Sequence, residues 1–189
     1  YDQIYDAHIY MFSAHSVKAI FKKKGFDLVN VTPLKTHGGS MRYTLARNGN
    51  FKISNMVNKI LKKEKDKKLH KIQSCLKFKK DCFLSRTKFK NKITQLKQKG
   101  LKIAGYAASA KSTTTLNFCR LNKDYLDYIA DNTKEKIGKF TPGTHIPIVS
   151  INHFRKNYPD VVVLNSWNHK KEILNKEKKF IKNGGKWIS

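Results

Sequence analysis

Three stretches of the 189-residue chain carry residue types suited to chemistry. The first is a run of small residues, Ala107 to Ser112, between the apolar segment Leu101-Lys102-Ile103-Ala104-Gly105-Tyr106 and a helix-compatible stretch from Thr113 to Cys119. A loop past the carboxyl end of a strand and at the start of a helix is where doubly wound sheets hold ligands. Free N–H groups and the helix dipole there favour an anion. Lys111 adds a positive charge, and Thr113 to Thr115 add hydroxyls. The loop is neither G-x-G-x-x-G nor a Walker loop, and a tight strand-to-helix turn explains its small residues equally well. The second stretch is Thr36-His37-Gly38-Gly39-Ser40, where a glycine pair permits positive φ or a close approach of backbone to a ligand. The third is the N-terminal segment with Tyr5 and, three residues on, His8. An imidazole titrating near neutral pH suits proton transfer, although a lone histidine also serves structural roles. His145, two residues before Pro147, is a further loop histidine. No H-E-x-x-H, G-x-S-x-G or paired metal-ligand spacing occurs, so the spacing predicts no metal site.

These residues need elements to position them. Ser13 is an N-cap for a short helix over Ala14 to Phe21, with Val17, Ile20 and Phe21 on one face and Gly25 past its end. Two strand-like runs, Phe26 to Val31 and Met41 to Ala46, flank the glycine pair. Residues 1–50 thus read as a helix and a hairpin. Residues 51–100 contain 17 Lys or Arg against three acids, and Ile53, Met56, Val57, Ile60 and Leu61 form a helical stripe. Leu76, Phe83, Phe89, Ile93 and Leu96 fit a second, longer helix ending at Gly100. Residues 101–189 alternate strands with helices. The strands are Leu101 to Tyr106, Leu126 to Asp131, His145 to Val149, Val161 to Leu164 and Lys186 to Ile188. The helices start at Thr113, at the capping Ser150 and at His169, the last running to Lys182. Such alternation implies βαβ units. The expected fold is α/β: a Rossmann-like three-layer domain with a mainly parallel sheet from Leu101 onward, preceded by a lysine-rich helical segment.

Composition narrows the classes. The chain is 39% hydrophobic and 11% aromatic, too apolar for a disordered protein. No apolar run approaches the ~18 residues of a membrane span. Three cysteines, Cys75, Cys82 and Cys119, form neither an even framework nor a C-x-x-C pair, which points to a reducing, cytoplasmic setting. The net charge of +27 comes from 35 Lys but only 5 Arg. Arginine is the bidentate reader of guanine and phosphate, so the split argues against a nucleic-acid surface. Abundant Lys, Asn and Ile fit codon bias in an AT-rich genome. Tyr1, without a basic or apolar leader after it, reads as a chain continued from something longer.

The motifs taken together carry a resemblance. Thr36-His37-Gly38-Gly39-Ser40-Met41-Arg42 resembles the T-H-G-G-S-[LM]-R segment of the S-adenosylmethionine-dependent sugar C-methyltransferases of deoxysugar biosynthesis. Gly105-Tyr106-Ala107-Ala108-Ser109-Ala110-Lys111-Ser112-Thr113 resembles their G-Y-G-A-x-A-K-G-N-T loop, and Leu116-Asn117-Phe118-Cys119 the L-L-N-Y-C after it. Asp131-Asn132 with Pro142-Gly143-Thr144-His145-Ile146-Pro147-Ile148 is similar to D-x-N…P-G-T-H-I-P-I. Trp167-Asn168 resembles the late W-N, and Gly184-Gly185-Lys186-Trp187-Ile188 the closing G-G-x-F-I. Order and spacing hold over nearly the whole chain.

The resemblance implies the C-terminal part of such an enzyme. Its partner is then a nucleotide-linked keto-deoxysugar, with neither nucleic acid nor membrane as ligand. The resemblance assigns S-adenosylmethionine to an upstream domain and zinc to a small N-terminal domain, neither of which this chain contains. Tyr1 to Ser13 looks like the family's Y-x-x-I-Y-H-E-H segment, which makes Tyr5 and His8 the expected catalytic residues, His8 as base. Ala7 stands in place of the glutamate and Asp6 in place of the first histidine. Expected substrate-binding residues are His37, Gly38, Gly39, Ser40, Arg42, Tyr106, Ser109, Lys111, Asn117, His145, Trp167 and Asn168. Three loops, Thr36 to Ser40, Gly105 to Lys111 and Thr144 to Pro147, are expected to converge on one cleft. A nucleotide-sugar-binding relative without catalysis, which Ala7 favours, and a nucleic-acid module, which only charge favours, are the alternatives.

Overall fold

The structure, a computed structural model, describes residues 1–5 and 7–188; Asp6, Ser189 and the side chain of His37 lie outside the described residues. The chain forms two compact units, Ile9–Asp81 and Tyr1–His8 with Cys82–Ser189. The boundary falls at Cys82, inside one long helix and within the basic stretch 51–100.

In the smaller unit, α1 (Ala14–Lys22) follows Ser13, whose hydroxyl accepts the Ser16 N–H while the Ser16 hydroxyl accepts the Ser13 N–H. This reciprocal box satisfies two of the donors that every helix start leaves over. β1 (Phe26–Leu34) and β2 (Ser40–Arg47) pair antiparallel, joined by a single 3-10 turn over Thr36–Gly38. α2 (Asn55–Asp66) closes the unit. Its Val57 and Ile60 pack with Ala14, Val17, Leu28 and Val31 into one small apolar core. Glu64 of α2 accepts the N–H groups of Ala14 (2.7 Å) and His15 (3.0 Å), and so caps α1 from outside it. α3 (Ile72–Gln98) begins in this unit and ends in the other.

The larger unit is the expected α/β domain. Its strands are β3 (Ile103–Tyr106), β4 (Tyr128–Asp131), β5 (Ile148–Ser150), β6 (Val161–Leu164) and β7 (Lys186–Ile188). They form one parallel sheet in the order β5-β4-β3-β6-β7. The helices are α4 (Ala110–Cys119), α5 (Ile151–Lys156), α6 (Lys170–Lys176) and α7 (Lys178–Lys182). Strand alternation divides the core into two layers. Ile103 faces Ile93 of α3, Leu116 and Cys119 of α4, and Ile129. Tyr106 faces Phe154 of α5, Ile173 of α6 and Phe180 of α7. Gly105 is required by packing: a Cβ there would lie 2.9 Å from Ile129 Cγ1 and 3.1 Å from Asn165 Nδ2.

Two helix boundaries depart from the sequence reading. α4 starts at Ala110 and not Thr113, because the Ser109 hydroxyl accepts the Ser112 N–H and sets the first turn earlier. The stretch expected as one helix from His169 to Lys182 is a 3-10 turn over Trp167–His169 followed by α6 and α7. The break is at Glu177, whose carboxylate turns inward to Tyr106 and Arg155. No described helix is long and apolar enough to cross a membrane.

Candidate functional site

The strand order decides where the site lies. The chain runs outward from β3 through β4 to β5, then returns to place β6 on the other side of β3. The carboxyl ends of β3 and β6 therefore flank a topological switch point, where connections leave in opposite directions and open a crevice. The β3–α4 loop and the segment Asn165–Asn168 meet at that edge. Asn165 Nδ2 donates to the Ala107 carbonyl (3.2 Å), and the Asn165 N–H donates to the Tyr106 carbonyl (3.2 Å).

The loop is held by charge from the next strand. Ala107 has φ 72°, a left-handed conformation that an L-residue adopts only where its surroundings impose it. Its N–H donates to the Ala130 carbonyl at 2.8 Å. Asp131, at the end of β4, accepts the Ala108 N–H (2.7 Å) on one oxygen and the Thr133 N–H (2.8 Å) on the other. Lys136 donates to the Ala108 carbonyl at 2.8 Å. Burial pushes the Asp131 carboxyl up, but the bonds from Thr133 and Ala108 and the Lys136 charge outweigh it. The group is held below the ordinary carboxylate range.

Lys111, in the first turn of α4, is only 8% exposed. Its ammonium lies 5.0 Å from the centre of the Trp167 ring, a cation–π contact across the switch point. Trp167 Nε1 donates to Asp2 at 2.7 Å, and Thr114 donates to the Ile4 carbonyl at 3.3 Å. The N-terminal segment is thus tied to both walls of the crevice. On that segment the Tyr5 and His8 rings lie 4.1 Å apart, and His8 Nδ1 is 2.7 Å from the Gln3 carbonyl. A carbonyl accepts only, so Nδ1 carries the proton and Nε2 is left as the basic nitrogen.

Ser109, Lys111, Trp167 and the adjoining Asn168 come together at this edge. Tyr106, Asn117 and His145 do not join them. Tyr106 points away from the loop, its hydroxyl donating to the buried Glu177 at 2.9 Å. Burial, then the Glu177 bond, pushes this phenol well above the usual tyrosine range. Asn117 is a packing residue: Nδ2 donates to the carbonyls of Thr113 (2.9 Å) and Pro142 (3.0 Å), and a Cβ on Gly143 would overlap it. His145 lies in the turn before β5, with φ 52° and its N–H donating to the Thr141 carbonyl. Since β5 is parallel to β4, that turn enters the amino end of the sheet, against the last turn of α4. The expectation that Thr144 to Pro147 shares a cleft with Gly105 to Lys111 is therefore corrected. Gly38, Gly39, Ser40 and the exposed Arg42 belong to the hairpin of the other unit, with φ of 86° and 129° at the two glycines. The His37 side chain is outside the described residues.

Asp131, Lys136 and Asn165 were not singled out as site residues from the sequence. Their signal was position: Asp131 ends one strand and Asn165 directly follows another.

The comparisons follow the same residues. A family model described as the C-methyltransferase C-terminal domain matches residues 35–189. That match covers most of the chain, including the whole sheet. The chain belongs to this family. Across all 189 residues it is also 28% identical to a curated protein called C-methyltransferase NovU, from Streptomyces niveus. The match covers 100% of this chain and 45% of that relative, so the chain spans less than half the length of the curated protein it matches.

Proposed function

We propose that this chain is the substrate-holding C-terminal part of an S-adenosylmethionine-dependent C-methyltransferase that acts on a carbon next to the ketone of a nucleotide-linked deoxysugar. The observation that carries the reading is Lys111, buried at the start of α4 and set against Trp167 at the switch point of a parallel sheet. A cation fixed at a helix start, on a crevice edge, suits a diphosphate. Ser109 and Asn168 add polar groups for the sugar and nucleotide. The likeness of the named relative supports the reaction class.

In this reading His8 is the base. Its Nδ1–H is spent on the Gln3 carbonyl, so Nε2 takes the proton from the carbon alpha to the ketone. The C–H electrons become the enolate, and the carbon gains a bond to the transferred methyl group. When bound, S-adenosylmethionine would supply that electrophilic methyl, its sulfur–methyl bond breaking as the new carbon–carbon bond forms and the bonding pair staying on sulfur. The β3–α4 loop does not fit this cofactor, because the Ala107 carbonyl and the Ala108 N–H, the backbone groups an adenosine or a methionine moiety would use, are already bonded to Asn165 and Asp131. The donor therefore belongs to the remainder of the longer enzyme on this proposal. Ala7 favours a second reading, a relative that holds the nucleotide sugar without catalysis.

The test is Lys111→Ala in the full-length enzyme. Nucleotide-sugar affinity should fall about tenfold or more, the scale of one lost charge-assisted contact, with S-adenosylmethionine affinity unchanged. Unchanged sugar affinity would falsify the reading.

A further inference from the structure

The outer helical layer carries a second concave surface, which the proposed reaction does not use. It lies between the end of α5 and the α6–α7 break, with a volume of about 620 Å³. That is within the range of small-molecule sites. Arg155, Lys176, Lys178, Lys179 and Lys182 line it, with Tyr158 on one wall. It lies on the sheet face of Phe154 and Phe180, opposite the face that α4 covers.

The charges there are not balanced within the fold. The one carboxylate among the lining residues is Glu177, only 1% exposed. Its Oε1 accepts from the Tyr106 hydroxyl (2.9 Å) and Arg155 Nη2 (2.8 Å), and its Oε2 accepts from Arg155 Nε (3.1 Å). Lys176 is paired to Glu172 at 2.7 Å. Among the described residues, no carboxylate lies within ion-pair distance of Lys178, Lys179 or Lys182. Arg155 spends two N–H groups on Glu177 and keeps three of its five, on a side chain that is 47% exposed. Glu177 thus locks the guanidinium plane in place at the wall of the groove. A fixed fork beside three ammonium groups is the donor set that phosphate oxygens require.

We propose that this groove binds a small anion of the diphosphate class, with two closely spaced phosphate groups bridging Arg155 and the lysines of α7. The lining disfavours a polynucleotide: its one aromatic residue, Tyr158, is partly buried and packs on Phe154 and Phe180, at 5.2 and 5.4 Å between ring centres, so no row of aromatic rings is offered for stacking successive bases.

The experiment titrates inorganic pyrophosphate into the full chain by calorimetry at about 0.15 M salt, where long-range charge effects are screened. Saturable one-to-one binding is expected. The exposed pair Lys179→Glu and Lys182→Glu should weaken it about tenfold or more, and the milder pair Lys178→Gln and Lys182→Gln should weaken it less but in the same direction. The charge-matched control Lys88→Glu and Lys92→Glu, exposed on the part of α3 that packs on the opposite sheet face, should change it less than about twofold, since it alters only the screened long-range field. Melting curves followed by tryptophan emission confirm that each variant is folded. Absence of binding overturns the proposal, as does equal loss with the control pair. Loss with Lys111→Ala and none with the groove variants moves the anion to the β3–α4 loop and also overturns it, while leaving the proposed reaction standing. Tighter binding of a short single-stranded RNA than of pyrophosphate would assign the surface to a polynucleotide instead.

Discussion

Replacing Asp131 by asparagine tests whether its carboxylate builds the loop after β3. The side chain is 7% exposed, so solvent screens its interactions little. One oxygen accepts the Ala108 N–H and the other the Thr133 N–H, with Lys136 at 4.0 Å. Asparagine has the same shape but one accepting oxygen. Either the Ala108 or the Thr133 N–H must then face an amide NH₂. One hydrogen bond to a charged group is lost, and a donor is left opposed to a donor, for about 2–3 kcal/mol. In a chain of this size that lowers Tm by about 4–12 °C. Urea unfolding followed by tryptophan emission measures it. Both tryptophans, Trp167 and Trp187, belong to the sheet-bearing unit, so the signal reports that unit alone. The pH dependence is fixed by the direction of the shift. The folded carboxyl is held below its unfolded value of ~3.9. Its contribution is full above that value and is lost as pH falls through the lower folded one. The gap between wild type and Asp131→Asn should therefore be largest near neutrality and shrink as pH falls through the lowered folded value, below which both side chains are neutral. A gap under about 0.5 kcal/mol at neutral pH, within the range of ordinary surface changes, would refute the reasoning. So would a gap that stays constant down to acid.

Two further predictions concern packing and capping. Gly105→Ala places a methyl 2.9 Å from Ile129 Cγ1 in a close-packed layer, and should cost about 1–3 kcal/mol in the same unfolding assay. A variant as stable as wild type would show that Ile129 has room to move. Glu64→Gln removes the charge that caps α1 and should cost about 1 kcal/mol, read as faster amide exchange at Ala14 and His15. Burial raises the Glu64 carboxyl, but the His15 ring and the two N–H groups outweigh it and hold it low. The cap should therefore weaken only as pH drops through that lowered value, and exchange rates equal in variant and wild type would count against it.

Much of the local structure was legible in the residues. The β-branched run Val161 to Leu164 is a fully buried strand, as continuous apolar runs in parallel sheets are. Ser13 and Ser150 cap helices through their hydroxyls as expected, because that chemistry is decided within four residues. The small-residue loop before Lys111 does leave the carboxyl end of a strand and start a helix. His145 marks the limit of such reading. A turn beside a strand looks the same in sequence whether it enters or leaves, and only the parallel pairing of β5 with β4 puts it at the amino edge. Tyr106 was expected to face a ligand, since its place beside the loop says nothing of Glu177, 71 residues away, which takes its hydroxyl. The same holds for the site as a whole. Periodicity reports which residues are buried and on which face, but not the order of strands across a sheet. Placing β6 on the far side of β3 from β4 brings Asn165 to Ala107, 58 residues apart, and Trp167 to Lys111. That choice rests on long-range pairing and burial throughout the sheet, so the crevice exists only once the whole sheet has formed.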